Sequence, residues 1–258
     1  MYTKKCVAFI DILGFGDLVE ESDNNPDVAR NIYNALMSMS AEALKESVEP
    51  ELNENNVEDG GLEEAQQVID RFKDKLKKMY SLEISYFSDC VVLSADAGNS
   101  MSCQMLFDTI GKFALRLWGK NNLVMRGGVS IGSLHHTENG PVFGPAMNRA
   151  YVIESKEAVN PRLLVDRDCY EHISKSRSFD SIKTMFVLEN GEIYCSLPSY
   201  YKHYKFDPTV HWNGLGLEPT LDSLKALVNV KIGQLSAQGA PEKVLSKYHW
   251  LISQSGKN

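Results

Sequence analysis

The chain has 258 residues, enough for one large domain, with 43% hydrophobic and 24% charged residues, which is ordinary for a globular fold. A formal net charge of −7 argues against a general nucleic-acid binder, which needs a basic face. It still allows a small phosphorylated ligand held by a few local donors and cations.

No apolar run is long enough to span a bilayer. The opening MYTKKCVAFIDI ends its short apolar stretch in Asp11, where a secretory signal would stay uncharged. The five cysteines are scattered and form no C-x-x-C pair, so neither a zinc site nor a disulfide framework is indicated. The expectation is a cytoplasmic protein with reduced thiols, binding neither membrane nor nucleic acid. The adjacent His135 and His136 are expected in a solvated loop.

Residues 5–11 form a β-favouring run that reads as a buried strand, with Gly14 and Gly16 just past its end. From 27 to 46, Val28, Ile32, Ala35, Leu36, Met39 and Ala43 recur at helical spacing behind Pro26 and Asp27. Residues 47–61 read as an acidic surface loop and 62–79 as a charged, solvated helix. Strands are expected at 82–87 and 90–94, joined at Ser88 and Asp89. A helix over about 102–118, a strand over 123–131, a helix over 145–156 and a strand over 162–166 follow. The β runs 184–188 and 192–196 flank Asn190-Gly191, a hairpin signal. Beyond 198 the sequence is aromatic and irregular, with a helix from near Pro219-Thr220 interrupted around Gly239-Ala240-Pro241. The order predicts an α+β fold, a mixed sheet carrying helices on one face. Residues 1–197 would form the main domain, with 198–258 an extension packed on it.

Two acids stand out. Asp11 ends an apolar strand in the string Phe9-Ile-Asp-Ile-Leu-Gly-Phe-Gly-Asp-Leu18, and Asp89 lies among β residues in Tyr86-Phe-Ser-Asp-Cys-Val-Val-Leu93. A carboxylate beside a buried strand costs free energy unless something positive compensates it. Taken singly, the first could be a helix cap and the second a turn residue. Together, two strand-end carboxylates can hold two metal ions, one acidifying an attacking hydroxyl and one neutralising a polyphosphate leaving group. The glycines after Asp11 allow a tight turn whose amides can face phosphate oxygens.

These residues resemble class III adenylate and guanylate cyclases. Phe9, Asp11, Ile12, Gly14, Phe15 and Leu18 match the pattern Phe-x-Asp-Ile-x-Gly-Phe-x-x-Leu in register. Arg126-Gly-Gly-Val-Ser-Ile-Gly132 resembles the family's Arg-x-Gly-x-x-x-Gly strand, and Gly144-Pro-Ala-Met-Asn-Arg-Ala150, followed by Glu154, its Gly-x-x-x-Asn helix. The resemblance implies a mainly antiparallel sheet with a ferredoxin-like core and two Mn²⁺ or Mg²⁺ ions on Asp11 and Asp89, assisted by the Ile12 carbonyl. It implies a homodimer with composite active sites, Asn148 of one subunit orienting the ribose bound by the other. Phe9, Gly14, Phe15 and Ser85 would line the substrate.

The chain departs from the family where adenylate cyclases read adenine: their Lys and Asp are replaced by Ser85 and Pro141. Val152 stands at the transition-state Arg, with Arg149 and Arg126 as nearby replacements; either could instead be a structural ion-pair or surface residue. Intact metal acids with an altered base-reading pair resemble the bacterial pyrimidine cyclases of Pycsar antiphage defence, which make cyclic UMP or cyclic CMP, favour Mn²⁺ and activate a separate effector. UTP is expected ahead of CTP, on the reasoning that an Arg or Ser donor suits a carbonyl of uracil. The rivals are a divergent purine cyclase and a catalytically dead, nucleotide-binding regulatory module. A phosphatase of the Asp-x-Asp type is excluded, since residue 13 is Leu.

Overall fold

A computed structural model describes residues 1–46, 82–137 and 140–256. The expected acidic loop over 47–61 and charged helix over 62–79 lie outside the described residues.

The first half is built from β1 (Thr3–Ile12), α1 (Phe15–Ser22), α2 (Pro26–Met37), α3 (Ala41–Glu46), β2 (Leu82–Phe87), β3 (Cys90–Asp96), α4 (Ser100–Asn121) and β4 (Met125–His136). These four strands lie in the order β2-β3-β1-β4, every neighbour antiparallel. That is the split βαβ arrangement of a ferredoxin-like core. β5 (Val142–Phe143), α5 (Pro145–Val152), β6 (Arg162–Val165), α6 (Arg167–Ile173), β7 (Val187–Glu189) and β8 (Glu192–Ser196) complete it. β6 joins β4 in parallel, β8 and β7 continue antiparallel, and β5 pairs with β4. The sheet is therefore mixed and mainly antiparallel, as the α+β reading expects.

Alternation along β1 sorts its side chains between two faces. Cys6, Ala8, Ile10 and Ile12 enter the main core with Leu106, Ile110 and Phe113 of α4. Val7 belongs to a separate cluster with Val92, Leu134, Ala146 and Ala150, with Phe9 packed against it. Helices thus lie on both faces, not one. α5 covers part of the second face because its alanines allow close approach.

Several boundaries differ from expectation for local reasons. The helix expected over 27–46 breaks after Met37. The Ser38 hydroxyl donates to the Ala35 carbonyl (2.6 Å), and Ser40 Oγ accepts the Ala43 N–H (3.2 Å), capping α3. The helix expected to reach 156 is α-helical only to Val152 and continues as a π-helical turn, Ile153–Glu157. The strand expected over 123–131 runs on to His136. The hairpin at Asn190-Gly191 forms with both residues at positive φ, 52° and 82°, as such two-residue turns require. Its first strand starts later than expected because Lys183–Met185 form a 3₁₀ turn.

The aromatic stretch after 198 is not irregular at its start. It forms α7 (Leu197–Tyr204), at whose start the Ser199 hydroxyl accepts from the Ser196 N–H (2.9 Å). Tyr200, Tyr201 and Tyr204 are almost fully buried in the main core, and Tyr204 Oη donates to Asp108 on α4 (2.8 Å). α8 (Leu221–Ala237) and α9 (Glu242–Ser255) follow, separated near Gly239–Pro241. No helix among the described residues is long and apolar enough to cross a membrane.

Candidate metal and nucleotide site

Strand register creates the site. Asp11 lies opposite Cys90 on β3 and Arg126 on β4, and residues directly opposite in a sheet share a face. Asp89 sits in the β2–β3 turn after Ser88, which adopts φ 54°. The Ile12 N–H donates to the Asp89 carbonyl oxygen (3.2 Å) and the Leu13 N–H to Val124 (2.9 Å). The end of β1 is thereby tied to the turn carrying the second acid.

Ligand atoms of Asp11, Asp89 and Cys90 all lie within 4.8 Å of one another. The Cys90 thiol lies 3.9 Å from Asp11 Oδ1 and 4.0 Å from Asp89 Oδ1. On the other side, Arg126 Nε donates to Asp11 Oδ2 (3.1 Å) and lies 2.7 Å from Glu154 Oε1. Its N–H is aimed at Asp11, so Glu154 Oε1 is ion-paired yet receives no hydrogen bond although buried. Glu154 is only 3% exposed. It reaches this position because β4 carries Gly128, against which the backbone of Ala150 and Glu154 packs.

The cluster is over-supplied with negative charge. Burial, then Glu154, raise the Asp11 carboxyl against the opposing pull of Arg126, with Asp89 adding to the rise, to about 6. Burial also raises Glu154, and Arg126 partly offsets it. Burial and the two aspartates push the Cys90 thiol up to about 12, so it is a neutral neighbour and a poor ligand. Convergent carboxylate oxygens short of positive partners fit a hard divalent cation such as Mn²⁺ or Mg²⁺.

This arrangement fixes the pH dependence. A carboxyl raised from 3.8 to about 6 on folding holds in the native state a proton that the unfolded chain has released. Between those values its contribution to the cation-free fold therefore worsens as pH rises. Cation binding runs the other way, because the ligand must be deprotonated. Mn²⁺ affinity measured by titration calorimetry should be about tenfold weaker at pH 5 than at pH 7. A flat profile over that range would show that Asp11 is not a ligand.

The remaining residues named from sequence are distributed around this cluster. Phe9 is half-buried on the same face and meets the Tyr151 ring edge-on at 5.4 Å. Gly14 is the N-cap of α1 with φ 79°, and Phe15 packs in the main core. Ser85, on β2, shares the face of Asp11 through its register with Val92. Pro141 is exposed before β5, and Val152 is half-buried at the end of α5. Asn148 is exposed on α5. Among the described residues, no hydrogen bond or ion pair joins it to Asp11 or Asp89. Arg149 is held by Asp166 (3.2 Å) and by Glu157 (2.5 Å), and Arg126 by Asp11 and Glu154.

His136 departs most from expectation. It lies at the end of β4 in no solvated loop, is buried (7% exposed), and is bonded to Ser85 and Ser94. Continuing the alternation of 126, 128 and 130 along β4 to 136 would have placed it on the Asp11 face.

No family model and no curated protein matches this chain. Solved structures similar to it include the adenylyl cyclase CyaB from P. aeruginosa: 15% identity, TM-score 0.42, covering 76% of this chain and 94% of that one. The guanylyl cyclase Cya2 is similar at 12% identity and TM-score 0.41, over 76% and 91%. A guanylyl cyclase domain of the RhoGC fusion protein from the aquatic fungus Blastocladiella emersonii gives 12% and 0.42, over 75% and 94%. Likeness this distant assigns no activity to this chain.

Proposed function

We propose that the chain is a class III-type nucleotidyl cyclase that converts UTP, ahead of CTP, to the 3′,5′-cyclic monophosphate and pyrophosphate. The observation that carries this reading is the convergence of Asp11 and Asp89, backed by Arg126 and Glu154, at the sequence positions where the cyclase pattern calls for metal acids. In the reaction the ribose 3′-oxygen bonds to the α-phosphorus, the bond from that phosphorus to the β-phosphate bridging oxygen breaks, and the 3′-hydroxyl proton is lost. Alignment and charge neutralisation suffice; no covalent nucleophile is required. Divalent cations held by Asp11 and Asp89 would acidify the 3′-hydroxyl and neutralise the departing pyrophosphate. Phe9 and Gly14 would border the bound nucleotide and Ser85 would meet its base. Arg126 keeps Asp11 turned toward Asp89 until a cation competes for the carboxylate.

Asn148 would act from the partner subunit of a homodimer. Its exposure on α5 supports this, as do the exposed aromatic side chains of Phe87, Phe143 and Tyr151. The cyclic nucleotide would serve as a messenger to a separate effector in antiphage defence. One observation favours a second reading, a nucleotide-binding module without turnover: Arg149 is already committed to two acids and Val152 cannot stabilise charge.

Subunit mixing tests the composite site. Inactive Asp11→Asn protein mixed with inactive Asn148→Ala protein should regain about a quarter of wild-type activity, since half the dimers then hold one site free of both lesions. No recovery despite verified subunit exchange would place the site within one chain, and an inactive wild type would favour the non-catalytic module.

A further inference from the structure

Beside the acidic cluster, the second face of the sheet carries a continuous chain of polar side chains. Lys5 Nζ lies 2.6 Å from Glu83 Oε1. Ser94 Oγ donates to Glu83 Oε2 at 3.2 Å. Ser94 Oγ lies 2.8 Å from His136 Nδ1, and Ser85 Oγ lies 3.0 Å from His136 Nε2. Lys5, Ser94 and His136 are buried, while Ser85 at the far end is half-buried.

For an uncharged His136 ring, counting protons gives the direction of this chain. Glu83, paired with Lys5, is a carboxylate and can only accept. Ser94 has one hydroxyl proton and gives it to Glu83, so it must accept from Nδ1–H. The neutral imidazole then carries a lone pair on Nε2, and Ser85 must donate to it. What Ser85 has left to offer a ligand is an acceptor. Ser85 precedes Phe87, the register partner of Cys90, by two residues, about 7 Å along the strand. That spacing suits a base whose phosphates lie at the acids.

We propose that His136 is a positioning residue for base specificity. By holding the Ser85 proton inward, it makes Ser85 read the ring N3 position of a pyrimidine as an acceptor, selecting uracil over cytosine. The inference rests on the nucleotide reading of the site above. Uracil presents N3–H at that position and cytosine a lone pair, so cytosine would set two acceptors against each other. This replaces the expectation that a Ser donor meets a uracil carbonyl: the donor is spent on His136.

The test uses 3′-deoxy-UTP and 3′-deoxy-CTP, which cannot cyclise, with Mn²⁺ and full-length protein. The uridine analogue should bind about ten- to a hundredfold more tightly, as expected when a mismatch leaves buried polar groups unpaired. His136→Phe frees the Ser85 proton and should bring the ratio within about threefold. A ratio that survives in His136→Phe, or equal binding to wild type, overturns the proposal and leaves the cyclase reading standing; binding of neither analogue removes both. Nitrogen-15 NMR of wild-type protein gives a readout independent of any variant's folding: Nδ1 of His136 should be protonated and Nε2 bare. The opposite tautomer also overturns the proposal.

Discussion

Replacing Asp11 or Asp89 by asparagine will lower cyclic-nucleotide formation by about three orders of magnitude. An amide cannot supply the charge that cation binding requires, and that charge is worth several kcal/mol in the transition state. The protein should remain folded. Arg126, which loses one partner in Asp11→Asn, keeps Glu154 at 2.7 Å, so no buried charge is orphaned. The substitution also removes a carboxylate that burial and Glu154 already disfavour. The cation-free variant should therefore melt no lower than wild type near pH 7. Circular dichroism melts beside product assays check both halves. Wild-type turnover in either variant would remove the two-acid mechanism, and a large drop in melting temperature would mean that Asp11 is held for stability.

Gly128→Ala should be the most damaging single-methyl change to the fold near the site. A Cβ at this position would lie 2.2 Å from the Ala150 carbonyl oxygen, 2.6 Å from Ile153 Cβ and 2.8 Å from the Glu154 backbone nitrogen. Two of these are backbone atoms, so the segment from α5 into the π-helical turn has to move off the sheet. Overpacking of this kind costs about 3 kcal/mol, or roughly 10 °C of melting temperature for a chain of this size. Glu154 moves with that segment, so Arg126 loses its second partner and activity should fall as well. Gly132→Ala is the matched comparison: its nearest contact would be Ala146 Cβ at 3.5 Å, an ordinary separation, and it should be nearly neutral. Equal melting temperatures for the two variants would show that the close approach at Gly128 does not matter.

Much of this architecture is legible in the chain because its signals are local. The alternation in LEISYF and the Asn190-Gly191 turn specify their hairpins without help, and both are present at Leu82–Asp96 and Val187–Ser196. Asp11 and Asp89 could be named because each stands beside an unbroken β run. What escaped depends on partners far away in sequence. His136 is held in the sheet by Ser85 and Ser94, 51 and 42 residues earlier; alternation along β4 gives its face, but only those distant partners give its burial. Tyr200, Tyr201 and Tyr204 read as an irregular aromatic stretch because Tyr is an indifferent helix former. Their burial against α4, including the Tyr204–Asp108 bond, decides the conformation. Glu154 belonged to a recognisable run, yet its place beside Arg126 follows from a π-helical turn that periodicity does not reveal.

The product spectrum of the wild-type protein separates a pyrimidine cyclase from its rivals. Purified full-length chain would be incubated with Mn²⁺ and each of UTP, CTP, ATP and GTP, with the nucleotide product resolved by mass spectrometry and pyrophosphate quantified in parallel. The expected products are 3′,5′-cyclic UMP and pyrophosphate in equal amounts, with kcat/KM highest for UTP, lower for CTP and lowest for the purines. A highest kcat/KM for ATP or GTP would contradict the pyrimidine assignment, and orthophosphate without any cyclic product would contradict the cyclase itself.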